Sequence, residues 1–464
     1  FIGGFSAYFV GSLGVLITPD QIQNSIQTDA KEAADLLSMR FIIWALLGVL
    51  LPILVLCWIK IKPEPLSKVL IKKAISAVAS FAVILGLLFI FYVDYAAIFR
   101  ENRSIKGMIS PQNVIASSYS YFHKKAPKKN LPLPAYGEDA HLNSTAATDA
   151  LPKLMVLVVG ETARAESFSL NGYARNTNPE LSKQAQLINF SQVSSCGTAT
   201  AVSVPCMFSG MPRKQYDERL ASHREGLLDV AQRAGYKVTW MSNNSGCKGV
   251  CDRVEQYQIP EEIKQKWCAA NECKDGILVD ALTDYIGKIP KDDQTPRLVV
   301  LHQLGSHGPA YYKRAPDEFR HFKPFCDTNA IQGCSSEQLV NVYDNSIVYT
   351  DHILNQVIEV LKKQSHYRTG FWYLSDHGES TGERGMYLHG APYAMAPSQQ
   401  THVPMMMWFS DQWAANAADQ VACLSRQKST ELSQDNLFPS LLSLLDVKSE
   451  VIDINNDMLQ RCKV

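Results

Sequence analysis

Residues 154–162 read LMVLVVGET: an apolar run, then a glycine, a carboxylate and a threonine. A short β-branched run that ends at a glycine is typical of a buried parallel strand. Glu161 follows that strand directly, so we expect it at the carboxyl edge of a sheet, where open α/β folds bind their ligands.

Residues 194–206 read SSCGTATAVSVPC, a segment typical of a turn that leads into a helix. Gly197 would lie in the turn, hydroxyl residues would cap the helix, and Thr200 would lie in the first helical turn. The free N–H groups and the dipole of that turn favour an anion such as phosphate. The alternative for the two segments together is an ordinary strand and a Ser/Thr-rich loop.

The length and the charge balance exclude some classes of protein. A chain of 464 residues is too long for one ordinary core, so two or more domains are expected. Lys+Arg and Asp+Glu are both 45, which gives a net charge of +0 and argues against a dedicated nucleic-acid binder. The first residue is Phe1, inside a hydrophobic run, so the sequence is expected to be a fragment that lacks its own N-terminus.

Ten of the eleven cysteines follow residue 195, and the other, Cys57, lies in an apolar segment. An even set with close neighbours indicates disulfides and an oxidising compartment. Pairing of neighbours would give Cys196–Cys206, Cys247–Cys251, Cys268–Cys273, Cys326–Cys334 and Cys423–Cys462. The alternative is a zinc cluster, but the spacings do not form the paired CxxC pattern of such sites. A Cys196–Cys206 disulfide would bracket Thr200 and hold its turn rigid.

Three apolar stretches near the N-terminus each approach the roughly 20 residues needed to cross a membrane: 1–17, which is expected to be the end of a cut transmembrane helix, and 41–59 and 74–93, which contain no charge. Buried core helices are seldom uncharged for so long, which disfavours that alternative. The loop between the last two stretches carries Lys60, Lys62, Lys68, Lys72 and Lys73 against Glu64, so it is predicted to be cytoplasmic. Residues 18–40 and everything after Val93 would then lie on the opposite side, although Arg100, Arg103 and Lys106 dilute the bias.

The predicted domains are a transmembrane region (1–93, with an outside loop at 18–40), an interfacial helix and linker (94–150), and a catalytic domain (151–464). Residues 94–122 fit an amphipathic helix on the membrane surface, or a plain connecting helix. The proline- and lysine-containing residues 124–148 indicate a linker.

From residue 154 onward, apolar strands alternate with helical stretches. The predicted strands are 154–159, 237–241, 297–303, 370–375 and 403–409; the predicted helices are 220–233, 275–286, 336–364 and 436–445. This alternation predicts an α/β domain with a mostly parallel central sheet flanked by helices, attached to an α-helical transmembrane domain.

Metal-capable side chains follow several of these strands. They are Glu161, His302, His307, Asp376, His377, Glu379 and His389. A histidine at a strand end is more often structural, but several such groups after successive strands of one sheet converge at one edge. Glu161, Asp376 and His377 offer the oxygen and nitrogen ligands that suit Zn²⁺.

Thr200 could supply the fourth ligand and act as the nucleophile. A free threonine hydroxyl is a weak nucleophile, and zinc would lower its pKa as it does for bound water. The transferred phosphoryl group would then sit at the helix N-terminus. His307 and His389 could protonate the leaving group, hold phosphate oxygens or bind a second metal.

Several motifs, in order along the chain, resemble those of the lipid A phosphoethanolamine transferases, a family that includes the mobile colistin-resistance enzymes. They are Glu161 after the strand, CGTATAVSVPC (196–206), NNSGCK (243–248), HQLGSHGPAYY (302–312) and SDHGES (375–380). The similarity covers nearly the whole chain, without the first membrane helices of the family. It implies an alkaline phosphatase/sulfatase-like fold.

The resemblance implies transfer of phosphoethanolamine from phosphatidylethanolamine to a lipid A phosphate through an intermediate on Thr200. It implies one zinc ion or two, with Glu161, Thr200, Asp376 and His377 as ligands. The residues that match substrate or second-metal groups are Asn244, Ser245, Lys248, His307 and His389, and ten cysteines fit members with five disulfides.

Asn24, Thr28 and Glu32 resemble the family segment that helps to hold the donor headgroup. At spacings of four they would share one helix face, and Glu32 could pair with the ethanolamine ammonium. From the residues alone, a solvated helix is the simpler interpretation.

The resemblance further implies a monomer in the bacterial inner membrane, with a periplasmic catalytic domain that lowers surface charge and gives polymyxin resistance. A phosphoglycerol transferase or a phosphodiesterase of the same superfamily is an alternative, as is a catalytically inactive lipid-binding membrane protein. An arylsulfatase is disfavoured because Cys206 follows Pro205 instead of preceding the x-Pro-x-Arg motif.

Overall fold

The computed structural model describes residues 2–28, 30–60, 65–91, 109–125, 133–143, 151–269 and 272–462. The helices of the N-terminal part are α1 (Ile2–Leu13), α2 (Pro19–Gln27), α3 (Ala30–Asp35), α4 (Met39–Trp58), α5 (Leu66–Ile90) and α6 (Gln112–Ser120), which continues as a π-helix over Tyr121–Lys125. Within α4, Leu46–Leu50 adopts π-helical hydrogen bonding. The predicted surface helix at 94–122 is described only from residue 109, and the rest of it lies outside the described residues.

Helices α4 and α5 are long and apolar enough to cross a membrane, with mean hydropathies of 2.7 and 2.2. Almost all of their residues are exposed on the protein, as expected for side chains that face lipid. Helix α5 begins at Leu66, eight residues before the apolar stretch predicted from Ala74, so Lys68, Lys72 and Lys73 of the predicted loop are helical. Lysines in the first turns of such a helix can extend towards the membrane surface.

The catalytic part is built on a central sheet whose strands are β1 (Lys153–Gly160), β2 (Ile188–Phe190), β3 (Lys237–Ser242), β4 (Glu255–Gln256), β5 (Arg297–His302), β6 (Arg368–Ser375) and β7 (Met405–Phe409). Their order is β2-β7-β6-β1-β5-β3-β4. The pairs from β6 to β4 are parallel, and β7 is antiparallel to both of its neighbours. The prediction of a mostly parallel sheet is therefore confirmed.

Helices cover both faces of the sheet. They are α7 (Thr200–Phe208), α8 (Glu218–Ala221), α9 (Leu227–Arg233), α10 (Glu261–Trp267), α11 (Gly276–Gly287), α12 (Ser336–Lys362), α13 (Ser398–Thr401), α14 (Asp411–Asn416), α15 (Ala418–Arg426) and α16 (Leu437–Leu444). Alternate residues of β1 explain the layers: Leu154, Val156 and Val158 pack in one core with α11 and α12, whereas Met155, Leu157 and Val159 pack in the other with α7, α9 and α16. Burying each such side chain contributes about 1.5–3 kcal/mol.

Short two-residue strands complete the fold. The pairs are His141–Leu142 with Val447–Lys448, Val193–Ser194 with Leu432–Ser433, Cys268–Ala269 with Glu272–Cys273, and Ser380–Thr381 with Tyr387–Leu388. His141–Leu142 lies in the predicted linker at 124–148, and its pairing with Val447–Lys448 ties that part of the linker to the catalytic domain.

Two predicted helices are interrupted. The helix predicted at 220–233 was wrong, because the chain leaves α8 at Ala221 and restarts α9 after Gly226, whose N–H donates to the Asp229 carboxylate at 2.8 Å. The common helix face predicted for Asn24, Thr28 and Glu32 was also wrong. Helix α2 ends at Gln27, and Thr28 is extended, with its N–H and its hydroxyl both donating to the Asn24 carbonyl.

Candidate active site

The carboxyl ends of four neighbouring parallel strands, β6, β1, β5 and β3, form one edge of the sheet. Glu161 follows β1, Asp376 and His377 follow β6, and Asn244 follows β3. The ligand atoms of Glu161, Asp376 and His377 lie within 4.8 Å of one another. Three of the residues predicted from strand ends therefore do converge.

Thr200 joins this group from the other side. Its Oγ1 donates to the Glu161 carboxylate oxygens at 3.0 and 3.1 Å and lies 3.2 Å from His377 Nε2. Thr200 is the first residue of α7, as predicted. The predicted hydroxyl cap was wrong: the N-cap is Ala199, and the Thr198 hydroxyl donates instead to the Ala391 carbonyl at 2.6 Å.

The turn before α7 is tightly packed. A Cβ on Gly197 would come within 3.0 Å of Val202 and Ser203 side-chain atoms, so only glycine fits there without a shift. Cys196 and Cys206 form a disulfide across the turn. The four other pairs of neighbouring cysteines are also bonded: Cys247–Cys251, Cys268–Cys273, Cys326–Cys334 and Cys423–Cys462.

Hydrogen bonds fix the direction of each ligand atom. His377 Nδ1 donates to the Gly378 carbonyl at 2.9 Å, which leaves Nε2 directed at Thr200 and the carboxylates. Asp376 Oδ1 accepts from the His377 N–H at 2.7 Å and the Thr162 N–H at 3.2 Å. Asn244 Nδ2 donates to Glu161 Oε2 at 2.8 Å. Such outer contacts are what orient the ligands of a metal.

The buried carboxylates and the imidazole of the site shift one another's pKa values. Burial, and then the charge of Glu161, raise the pKa of Asp376 to about 7. Burial opposes ionisation of Glu161 and His377, but their attraction to each other outweighs it. It holds the pKa of Glu161 well below its usual range and, with Asp376, raises the pKa of His377 to about 10.

This donor set fits a divalent metal. Asp376 Oδ2 is buried and accepts no hydrogen bond from the described residues. Two buried carboxylates without a cation of fixed charge are costly, and a metal ion would offset that cost. Two oxygens and one imidazole nitrogen, with the Thr200 hydroxyl as a fourth position, match the ligands and the coordination number of zinc.

A second group of possible ligands lies beside the first, made of His377, Glu379 and His389. The Glu379 carboxylate is completely buried and contacts His389 Nδ1 at 2.8 Å and the Tyr311 hydroxyl at 2.5 Å. The rings of His389 and His377 are 4.5 Å apart, and those of His389 and His307 are 5.4 Å apart. His307 and His389 are therefore both at the site.

His302 is not part of the site. Its side chain is completely buried as the last residue of β5, with its ring 5.4 Å from that of Trp240, and burial lowers its pKa to about 4. It is therefore a neutral core histidine, and its inclusion among the metal-capable groups of the sheet edge was wrong.

Of two further residues that hold the site together, the sequence placed Glu379 among the metal-capable groups without a specific role and gave Gln434 no role. Glu379 lies within the SDHGES motif, so its position two residues after His377 was the available signal. Gln434 gave none. Its buried amide donates to the Ser375 and Asp376 carbonyls at 2.7 Å and accepts from the Cys196 N–H at 2.6 Å, which joins the metal-ligand loop to the nucleophile turn.

The segment before the membrane helices reaches the same site. Glu32 of α3 accepts from the Ser245 hydroxyl at 3.1 Å and lies 3.7 Å from His307 Nε2. Lys248 Nζ donates to the Gln27 carbonyl and to the Ser245 hydroxyl, both at 3.2 Å. Glu32, Asn244, Ser245 and His307 help to line a cavity of about 70 Å³. By contrast, the Thr28 hydroxyl is bonded within its own segment, to the Asn24 carbonyl at 2.6 Å.

Comparison with known proteins identifies the architecture. A phosphoethanolamine transferase EptA/EptB family model matches residues 1–126, and a sulfatase family model matches residues 153–447. Phosphoethanolamine transferase EptA of Escherichia coli (strain K12) is 45% identical over 100% of this chain and 84% of its own length. The chain belongs to the phosphoethanolamine transferase family, within the alkaline phosphatase/sulfatase superfamily.

Two further members of the family are similar to this chain over nearly its whole length. Phosphatidylethanolamine transferase Mcr-1 of Escherichia coli is 37% identical over 97% of this chain and 83% of its own length. The integral membrane protein lipooligosaccharide phosphoethanolamine transferase A (EptA) from Neisseria meningitidis has 38% identity and a TM-score of 0.93, with coverage of 99% of this chain and 86% of that one. This chain is thus a membrane-anchored enzyme with a sulfatase-like domain.

Proposed function

We propose that this chain transfers phosphoethanolamine from phosphatidylethanolamine to a phosphate of lipid A, with Thr200 as the covalent carrier. The observation that supports this most is the position of Thr200 Oγ1, 3.0–3.2 Å from Glu161 and His377 at the start of a helix. The names of the relatives, a phosphatidylethanolamine transferase and a lipooligosaccharide phosphoethanolamine transferase, support the donor and the acceptor class. The product carries less negative charge, which gives resistance to polymyxins such as colistin.

The proposed cofactor is Zn²⁺, one ion or two, with the first held by Glu161, Thr200, Asp376 and His377. A zinc ion held by these residues would lower the pKa of the Thr200 hydroxyl and so favour loss of its proton near neutral pH. Glu161 and His377 keep Oγ1 of Thr200 directed at that position. The fixed N–H groups at the start of α7 are directed at the oxygens of the incoming phosphate.

In the first half-reaction, Thr200 Oγ1 attacks the phosphorus of the donor lipid. A P–O bond to threonine forms, the P–O bond to diacylglycerol breaks, and the leaving oxygen takes a proton that replaces the one lost by Thr200. His307 and His389 are the groups assigned to that proton transfer. The donor ammonium pairs with Glu32, whose carboxylate lies in the cavity beside His307, and Ser245 and Lys248 complete this headgroup site.

In the second half-reaction, an oxygen of the acceptor phosphate attacks the same phosphorus. The P–O bond to threonine breaks, Thr200 regains its proton, and the acceptor phosphate now carries phosphoethanolamine. Asn24 and Thr28 belong to the proposed donor segment with Glu32. The protein acts as a monomer in the bacterial inner membrane, and the five disulfides support a periplasmic catalytic domain.

Transfer between lipids in vesicles tests this function. The wild-type chain should modify lipid A in vesicles that contain phosphatidylethanolamine, and Thr200→Ala should not, because no hydroxyl remains to be esterified. Thr200→Ser is the matched control and should retain transfer. Transfer by the alanine variant at the wild-type rate would disprove the covalent role of Thr200.

Metal dependence is tested separately. Glu161→Ala and His377→Ala should each lose bound zinc and transfer together, because each removes one of few ligands. Zinc content is measured on the purified variants by elemental analysis. A variant that holds no zinc and still transfers at the full rate would disprove the role of the metal.

A further inference from the structure

The nucleophile helix contains a proline beyond its first turn. Helix α7 runs from Thr200 to Phe208, and Pro205 is its sixth residue. In an α-helix the N–H of residue 205 would donate to the carbonyl of Ala201, but proline has no N–H. The Ala201 carbonyl, one residue from the nucleophile, therefore lacks its usual partner within the helix.

Gln23, on helix α2 of the N-terminal part, supplies the missing donor. Gln23 Nε2 donates to the Ala201 carbonyl at 3.0 Å, and the Gln23 side chain is only 1% exposed. Gln23 lies on α2, which precedes the membrane helices α4 and α5, and it is 178 residues away from Ala201 in the chain. A buried carbonyl without a partner is costly, so this contact accounts for an acceptor that the local sequence leaves unsatisfied.

Other contacts hold α2 against the catalytic residues. The Gln27 carbonyl at its end accepts from Lys248 Nζ at 3.2 Å. Gly390, which follows His389, packs so closely that a Cβ there would lie 2.5 Å from Gln21 Oε1. Helix α2 therefore meets the nucleophile helix, the loop of His389 and Lys248 at once.

We infer that Gln23 is a positioning residue for Thr200, and that α2 supplies the hydrogen bond that Pro205 removes from the nucleophile helix. The Ala201 carbonyl belongs to the Ala201–Val202 peptide in the first turn of α7, one residue after Thr200, so holding that turn helps to fix where Oγ1 lies relative to Glu161 and His377. Small displacements of a reacting atom can be costly in rate. This inference rests on the proposed function, because its measure is the formation of the Thr200 ester.

The first test is Gln23→Met, which keeps the volume and removes the donor. With the full chain in vesicles of phosphatidylethanolamine and no acceptor, ester formation on Thr200 should slow about tenfold, the equivalent of about 1.4 kcal/mol for one lost hydrogen bond. The KM for the donor should change little, because Gln23 contacts the helix and not the cavity. If Gln23→Met does not fold, Gln23→Asn retains the amide, falls short of Ala201, and should slow the reaction similarly.

The decisive test is rescue. Pro205→Ala restores an N–H that can donate to the Ala201 carbonyl, so the double variant with Gln23→Met should recover most of the lost rate. A merely structural role for Gln23 predicts no recovery. The matched control is Gln427→Met, which removes another buried amide donor, bonded to the Met458 carbonyl at 2.8 Å on another part of the chain, and should leave ester formation unchanged.

The outcomes separate the two claims. If wild type forms the ester and Gln23→Met forms it at the same rate, or if Pro205→Ala brings no recovery, the inference is wrong while the proposed function stands. If the wild-type chain never forms the ester, the proposed function itself fails.

Discussion

At the scale of single residues, Asn244 fixes the orientation of the Glu161 carboxylate at the candidate metal site. Its Nδ2 donates both to Glu161 Oε2 and to the Gln303 carbonyl at 2.8 Å. The bond to Gln303 fixes the Asn244 side chain, which in turn orients the Glu161 carboxylate. Losing such an outer contact typically costs about 10–100-fold in metal affinity. We expect Asn244→Ala to lower zinc affinity by that amount, measured by competition with a chelator.

The control for this prediction is Ser245→Ala, since the Ser245 hydroxyl contacts Glu32, Lys248 and Asn244 Oδ1 and not Glu161. The Ser245 N–H, which donates to Asn244 Oδ1 at 2.6 Å, remains in this variant and keeps Asn244 in place. It should bind zinc as wild type does. Equal zinc affinities for Asn244→Ala and wild type would show that Glu161 is held by other groups.

Glu379 is the second residue whose role can be tested alone. It holds His389 through Nδ1 and is itself held by the Tyr311 hydroxyl. Hydrogen bonds to charged groups contribute about 1.5–3 kcal/mol, so Glu379→Gln should lower kcat by about 10–100-fold. Tyr311→Phe removes only the outer bond and should have a smaller effect. A larger loss of kcat in Tyr311→Phe than in Glu379→Gln would contradict the proposal that Tyr311 acts on His389 through Glu379.

Sequence alone could not decide which histidine after β5 serves the site. His302 and His307 are five residues apart in one motif, yet His302 ends the strand with its ring in the core and His307 reaches the cavity. The two histidines differ in the direction of their side chains at and after the end of β5, and the number of residues between them does not predict that direction. Glu161, Asp376 and His377 were predictable because each directly follows a long buried strand.

At the scale of elements, the Cys196–Cys206 disulfide fixes the start of α7. The double variant Cys196→Ser with Cys206→Ser should lose about 2–3 kcal/mol of unfolding free energy, as expected for a short closed loop. Its transfer rate should fall more than this loss explains, because the Thr200 turn becomes mobile. Transfer and denaturant unfolding are measured on the same preparation.

The matched control is the double variant Cys326→Ser with Cys334→Ser. That disulfide closes a loop of similar size, eight residues apart against ten, next to the start of α12. It should lose similar stability and keep its transfer rate. Equal loss of transfer in both double variants would show that the Cys196–Cys206 bond has no special role in catalysis.

The five predicted strands and three of the four predicted helices have limits within about two residues of those observed, because long buried runs leave a continuous apolar signal. The short strands β2 and β4 were not predicted, and neither were two local breaks in the helices. The break at Thr28 depends on a hydroxyl that bonds back to Asn24, and the proline inside α7 is tolerated with a donor from α2. Neither contact could be derived from local propensity.

At the scale of the whole molecule, Arg314 joins the membrane region to the catalytic domain. Its guanidinium is 3% exposed and bonds Asp35 of α3 at 3.0 Å, Glu272 at 2.6 Å and the His307 carbonyl at 2.7 Å. Membrane spans and an α/β domain could be predicted from composition and alternation. The docking of α2 and α3 on the active site could not, because its contacts join residues more than 170 positions apart.

Asp35→Asn should therefore weaken donor binding. The substitution removes the charge of one of the two carboxylates that pair with the buried Arg314 guanidinium, which destabilises the contact between α3 and the catalytic domain. Helix α3 would then shift, and Glu32 would lie farther from His307. We expect a higher KM for phosphatidylethanolamine with zinc content unchanged. Asp317→Asn, which removes the exposed partner of Arg320, is the control and should behave as wild type. An unchanged KM in Asp35→Asn would mean that α3 does not take part in donor binding.

The central claim is that the Thr200 hydroxyl carries the headgroup between two lipids. The most direct measurement is tandem mass spectrometry of the peptide that contains Thr200, after incubation with phosphatidylethanolamine and rapid quenching. The account predicts a gain of one phosphoethanolamine less one water on Thr200, and its loss when lipid A is added. Transfer to lipid A with no modified Thr200, or with the group on another residue, would contradict it.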